Sequence, residues 1–109
     1  MVKIKLSDDF SKTPGGRLIA EGDFSGEQFR DTLLLVKYEE AEKSNTMLEV
    51  DFDDCYGVGT SFLEEAFGGL VRKYHKHGIL KRLKIVALED ETICGNIKKY
   101  VEEAEANDK

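Results

Sequence analysis

The sequence predicts an α/β domain: a mixed four-stranded sheet with three helices, in the order β-β-α-β-α-β-α. Three observations carry this. Short segments read as strands: Val2, Ile4 and Leu6 alternate with lysines, Leu48, Val50 and Phe52 alternate with acids, and residues 83–88 are mostly apolar. Longer segments carry helical spacing, clearest in Leu63, Ala66, Phe67, Leu70, Val71 and Tyr74. Finally, 109 residues with 40% apolar and 35% charged content suit one soluble globular domain spanning 1–109.

The first strand covers Val2–Leu6. Residues 7–16 are loop, with Asp8-Asp9 and then Pro14-Gly15-Gly16. Arg17-Leu18-Ile19-Ala20 reads as a second short strand, expected to pair antiparallel with the first because no helix separates them. Ser25-Gly26-Glu27-Gln28 has capping-box spacing and opens a helix to about Lys43, with Phe29, Leu33 and Val36 as its core face. Leu33-Leu34-Leu35 is too broad for one face, so neighbours are expected on both sides or a partner on one. Leu48–Phe52 is the third strand and Phe62–Tyr74 the second helix. Gly78 is a natural stop, and Leu83–Leu88 is a strand apolar enough to be central. A last helix runs from about Ile93 to Ala104, leaving a frayed tail at about 105–109. The later crossovers are single helices, which implies parallel pairing.

Composition excludes several roles. The formal net charge of −6 argues against direct nucleic-acid binding or an anionic membrane. No apolar run approaches the roughly 18 residues that span a bilayer. The alternating N-terminus lacks a signal peptide's apolar block, and Cys55 and Cys94 form no paired motif. A reduced, cytoplasmic protein without a cofactor is expected.

Chemistry concentrates between Leu48 and Tyr74. The third strand ends in Asp53-Asp54, a glycine-rich turn comes next, and Thr60-Ser61 open a helix. Helix N-termini leave N–H groups unpaired and favour anions. Either hydroxyl is therefore a helix cap, with Ser61-Phe62-Leu63-Glu64 in capping-box spacing, or a phosphorylation candidate. A phosphate there would add about −1.5 to −2 charges beside Asp53, Asp54, Glu64 and Glu65, which suits an off-switch. Mid-helix Gly68-Gly69 implies close packing within the domain or a bare surface for a partner. Phe62, Glu65 and Gly69 share one face, so Phe62, Glu65, Gly68 and Gly69, with Asp53 and Asp54, are the partner-binding candidates. Arg17 is read as a salt-bridge partner of Asp51, Asp53 or Asp54, and Arg17 with Arg30 as an anion site. His75 and His77 point to different helix faces, and Asp51, Asp53 and Asp54 lack converging donors, so no metal site is expected.

The motifs resemble one family. Pro14-Gly15-Gly16-Arg17, Ser25-Gly26-Glu27-Gln28-Phe29-Arg30 and, above all, Ser61 to Leu70 (Ser-Phe-Leu-Glu-Glu-Ala-Phe-Gly-Gly-Leu) are similar to the STAS-like domain family of unknown function numbered DUF4325. The wider STAS class resembles the anti-sigma-factor antagonists. The resemblance implies a non-enzymatic regulatory domain that binds a histidine-kinase-like ATPase or an anti-sigma factor. It also implies phosphorylation at the start of the helix after the third strand, here Thr60 or Ser61. The class motif is Asp-Ser-Ser-Gly or Asp-Thr-Ser-Gly; this chain reads Gly59-Thr60-Ser61-Phe62, with a bulky residue in the last position. The alternative reading is a small hydrolase or phosphotransfer enzyme using Asp53, Asp54 and Ser61.

Overall fold

The computed structural model describes residues 1–108. Strand β1 (Val2–Lys5) runs straight into a single helical turn, α1 (Leu6–Asp9). Helix α2 spans residues 26–44 and contains a π-helical turn, Arg30–Leu34. Strand β2 (Leu48–Asp51) leads to helix α3 over residues 60–74, which contains a second π-helical turn, Glu64–Gly68. Strand β3 (Leu83–Val86) and helix α4 (Thr92–Asn107) complete the chain. No helix among the described residues is long and apolar enough to cross a membrane.

The sheet has three strands in the order β1-β2-β3, all parallel, with Ile4, Val50 and Ile85 in register. Right-handed crossovers in a monotonic strand order put their helices on one face. Ile4, Leu48, Val50 and Leu83 bury against those helices. The other face carries Lys3, Glu49 and Lys84 in one row and Lys5 with Asp51 in the next. Lys84 reaches Glu49 at 3.6 Å and Lys5 reaches Asp51 at 3.6 Å. Opposite charges across neighbouring strands suit a solvated face. Central α3 lies between α2 and α4, so Phe62, Leu63, Ala66, Phe67, Leu70 and Val71 are all buried.

Several expectations are corrected: β3 is an edge strand and not a central one, the turn at Leu6–Asp9 replaces an expected strand end and loop, and three larger departures follow. The fourth strand is absent. Arg17 to Ala20 has no alternation to bury, and local polar bonds turn it instead. The Leu18 N–H donates to Glu21 Oε1 (2.8 Å) and the Ile19 N–H to Glu27 Oε1 (2.9 Å), closing a 3₁₀ turn at Ile19–Glu21. The antiparallel pair vanishes with it, so the sheet is purely parallel and not mixed.

The core face of α2 is also shifted. Phe29 is buried as expected, but Leu34, Tyr38 and Ala41 come after it, while Leu33 is half-buried and Val36 exposed. A π turn inserts one residue into the helical repeat, so every later side chain is rotated by about one position. The helix start is as read: the Gln28 N–H donates to Ser25 Oγ at 3.0 Å, and Gln28 Oε1 accepts from the Phe24 N–H at 3.1 Å.

Third, α4 continues past Ala104 to Asn107, with the Asp108 N–H bonded to the Ala104 carbonyl at 3.0 Å. Of the tail expected to fray, Lys109 lies outside the described residues. Asp108 is held by both histidines: His75 Nδ1 lies 3.1 Å and His77 Nε2 2.6 Å from its carboxylate. The two rings converge because the helix ends at Tyr74 and His75 takes a left-handed conformation (φ 55°), so helical spacing no longer applies to them. Among the described residues, no cluster of three or more His, Cys, Asp or Glu side chains has the geometry to hold a metal ion.

Candidate functional site

In this topology the loops after β1, β2 and β3 and the N-termini of α2 and α3 meet at the carboxyl end of the sheet, where open α/β folds place their ligands. The loops are tied together. The Tyr56 N–H donates to the Lys12 carbonyl (2.7 Å), and the Gly26 and Glu27 N–H groups donate to Gly16 (2.9 Å) and Arg17 (3.0 Å). Gly26 sits directly on the backbone of Phe62, where a Cβ would come within 2.5 Å of the Phe62 carbonyl oxygen. The starts of α2 and α3 are thus in contact.

Thr60 and Ser61 lie at the exposed start of α3, but neither caps it. Gly59 is the N-cap, in extended conformation, and no side chain bonds the first N–H groups. The capping expectation is therefore corrected: with Gly59 as the cap, both hydroxyls stand inside the first turn, exposed and without a hydrogen-bond partner among the described residues. Ser61 makes no bond to Asp53 or Asp54. Asp53 Oδ1 accepts the Glu89 N–H at 3.0 Å, and the Asp54 N–H donates to Glu89 Oε1. The nucleophile–base contact needed by a hydrolytic site is not formed in this arrangement.

The partner-binding candidates separate. Phe62 is fully buried and stacks on Phe29, ring centroids 5.6 Å apart. Gly68 and Gly69 are buried too. Their bare backbone is covered from inside the domain, because the guanidinium of Arg30 lies on Gly69 and the Glu64–Arg72 pair lies over Gly68. These three residues cannot form a partner socket. Asp53 and Asp54 do remain at the site end, half-buried and exposed respectively.

Arg17 and Arg30 are also reassigned. Arg17 pairs with Glu64 (2.5 Å) and Glu65 (3.3 Å), while Lys5 takes Asp51 and Asp54. Arg30, its side chain only 4% exposed, binds Asp31 (2.8 Å) and the Glu65 carboxylate. Every nitrogen of the buried Arg30 guanidinium donates within the domain, so it has no vacancy for an external anion, while Arg17 spends only Nη1 on its two carboxylates. Burial alone would raise the pKa of Asp31, but Arg30, Tyr74 and Lys73 more than offset it and hold it at about 2. Burial likewise opposes ionisation of Glu64, and Arg72 and Arg17 overcome it, so its pKa is lowered. The network fastens α2 to α3 at their two π turns. Sequence reading missed Asp31, Arg72 and Tyr74 as its members; no linear spacing relates Asp31 to Lys73 and Tyr74 on the other helix, and Arg72 sits eight residues from Glu64, two turns apart.

The βα loops also bear apolar surface. Leu18, Ile19, Phe24, Tyr56 (71% exposed) and Leu88 (85% exposed) all lie in them. Among the described residues, only Met1 and Val36 are large exposed apolar side chains elsewhere. Between the loops after β2 and β3 is a groove of about 360 Å³ that Phe52, Asp53, Val58, Ala87, Glu89 and Asp90 help to line. The sequence reading passed over Tyr56, Leu88, Glu89 and Asp90. The available signal was an acid at the end of each of two neighbouring parallel strands. Cys55 is half-buried beside this groove, and burial raises its thiol pKa, so it is not an activated nucleophile.

The chain belongs to the STAS-like domain family of unknown function (DUF4325), whose family model matches residues 25–92, more than half of its length. The match begins at the Ser25 cap of α2 and ends at the first residue of α4, so Pro14 to Arg17 lies outside it. No curated protein and no solved structure matches the chain.

Proposed function

We propose that this STAS-like domain is a non-enzymatic regulatory module that docks an intracellular protein partner through its βα loops. Phosphorylation of Thr60 or Ser61 is its off-switch. The observation that carries the reading is the gathering of exposed Leu18, Ile19, Phe24, Tyr56 and Leu88 at the carboxyl end of the sheet. Clustered exposed apolar side chains rimmed by polar ones mark interaction surfaces. The wider STAS class points to a histidine-kinase-like ATPase or an anti-sigma factor as the partner.

Two features support the switch. The Thr60 and Ser61 hydroxyls are exposed and carry no capping bond that phosphorylation would have to break. A phosphate at that spot would place a bulky group of about −1.5 to −2 charges on the docking face, and a charge desolvated there without its own counter-ion opposes binding.

Site-specific photo-crosslinking in the native host tests the reading. A benzoylphenylalanine at position 56 or 88 should give one shared protein adduct. The same probe at Lys84, on the solvated sheet face, should not. Adducts that form equally at position 84, or none at 56 and 88, would overturn the docking face.

A further inference from the structure

The groove between the loops after β2 and β3 has a specific composition. Buried Phe52 and Ile93, with Val58 and Ala87, give it an apolar lining. Asp53, Glu89 and Asp90 give it three carboxylates. Each carboxylate is oriented by one oxygen. Asp53 Oδ1 accepts the Glu89 N–H (3.0 Å), Glu89 Oε1 accepts the Asp54 N–H, and Asp90 Oδ1 accepts the Thr92 N–H (3.0 Å) and hydroxyl (2.6 Å). Asp53 Oδ2, Glu89 Oε2 and Asp90 Oδ2 have no protein partner among the described residues. Lys5, at the neighbouring strand end, is already shared by Asp51 and Asp54.

We infer that this groove receives an arginine side chain from a basic docking segment of the protein partner. The inference rests on the docking face proposed above and names the chemistry the face selects. Charge complementarity excludes the anionic ligands common at this end of α/β sheets, since three carboxylates without a counter-cation would repel a phosphate. Size points the same way: about 360 Å³ is at the small end of the roughly 300–1,000 Å³ of ligand pockets, enough for one long side chain and not for a dinucleotide. The apolar lining disfavours a hydrated ion and suits an alkyl stem that carries its charge at the tip. A planar guanidinium matches separated carboxylates with its fork of donors and stacks on an aromatic ring, here exposed Tyr56 at the groove wall.

The test is a titration of isotope-labelled domain with N-acetyl-argininamide, monitored by amide chemical shifts. The control ligand is the citrulline analogue, which has the same length and no charge. Saturable shifts confined to Cys55–Val58 and Ala87–Asp90 are expected with arginine, weakened by salt and absent with citrulline. Asp53→Asn and Glu89→Gln keep an oxygen for the backbone bonds and remove only charge. Each should weaken binding about tenfold, the worth of a charged hydrogen bond. No saturable shift, equal shifts with citrulline, or unchanged affinity in both variants would overturn the socket. If crosslinks at 56 and 88 still form in that case, the docking face survives and only its arginine preference is wrong. If arginine binds but those crosslinks fail, it is the docking face that is wrong.

Discussion

Replacing Gly69 with alanine should destabilise the domain, although alanine is the better helix former. At a mid-helix site Gly→Ala gains about 0.8–1 kcal/mol. Here the new Cβ would stand 2.5 Å from Arg30 Nη1 and 2.8 Å from its Cδ. A flexible arginine would swing aside, but Arg30 is buried and held at both ends. Its Nε donates to Asp31 at 2.8 Å, and its Nη1 donates to the Glu65 carboxylate and, at 3.3 Å, to the Glu65 carbonyl. Overpacking costs about 1–3 kcal/mol, and a strained charged hydrogen bond adds about 1.5 kcal/mol or more. The opposing terms leave Gly69→Ala about 1.5–3.5 kcal/mol less stable.

The decisive measurement is the same substitution in an Arg30→Ala background, where it should instead stabilise by about 0.5–1 kcal/mol. That background should fold. Glu65 keeps Arg17 at 3.3 Å, and Asp31 keeps Lys73 at 3.0 Å and the Tyr74 hydroxyl at 2.7 Å, so neither carboxylate is stranded. Urea titrations monitored by circular dichroism suit a chain with no tryptophan. Gly68→Ala is the control: its Cβ would meet the ends of Glu64 (2.6 Å) and Arg72 (3.0 Å), an ion pair much more exposed than Arg30 that can shift outward together. It should be neutral or slightly stabilising. A Gly69→Ala change that stabilises the wild type, or has the same value in both backgrounds, refutes Arg30 as the reason for the glycine.

The same geometry sets two further outcomes. Asp31, held at about 2 against an ordinary 3.8, contributes stability that is fully present above about pH 4 and is lost as pH falls through about 2. Asp31→Asn should therefore flatten the acid limb of a stability–pH curve while lowering its neutral plateau, and an unchanged acid limb would remove Asp31 from the network. Ser61→Ala and Thr60→Ala should each change stability by less than about 0.5 kcal/mol because Gly59 is the cap, whereas Ser61→Asp should leave folding intact and weaken the crosslink at position 56; a loss of about 1 kcal/mol or more on Ser61→Ala would restore that residue as a cap.

Much of the fold was legible because it depends on local pattern. Alternation marked β1 and β2, the apolar run marked β3, and Ser25 with Gln28 marked the start of α2. What stayed illegible depended on partners far along the chain. Arg17 was assigned to the aspartates nearest in type, but Lys5 on the adjacent strand already holds Asp51 and Asp54, which frees Arg17 for Glu64 and Glu65. The apolar content of residues 17–20 predicts a strand. Their amides are instead taken by Glu21 and Glu27, acids whose side-chain direction no periodicity reveals. Thr60 and Ser61 read as a helix cap or a phosphorylation candidate, but the cap falls one residue earlier, on Gly59.

A π turn also explains the displaced core face of α2, and it meets a second π turn in α3. Arg30–Leu34 and Glu64–Gly68 lie against each other across the α2–α3 interface. Each inserts a residue, and in α2 a reading at 3.6 residues per turn misplaces the side chains beyond it: Val36 leaves the core and Tyr38 enters it, whereas in α3 Leu70 and Val71 keep the expected buried stripe. The sites of insertion are also where the charges meet, with Arg30 and Asp31 in one turn and Glu64 and Glu65 in the other. This clamp fastens α3 to α2 beside its N-terminal turn. Any charge added at Thr60 or Ser61 therefore acts on a helix that cannot readily slide. Such a modification would reach a partner through its own bulk and desolvation at the proposed docking face and not through a shift in helix packing. A phosphomimetic that changed amide shifts along the α2–α3 interface, far from residues 60 and 61, would contradict that conclusion.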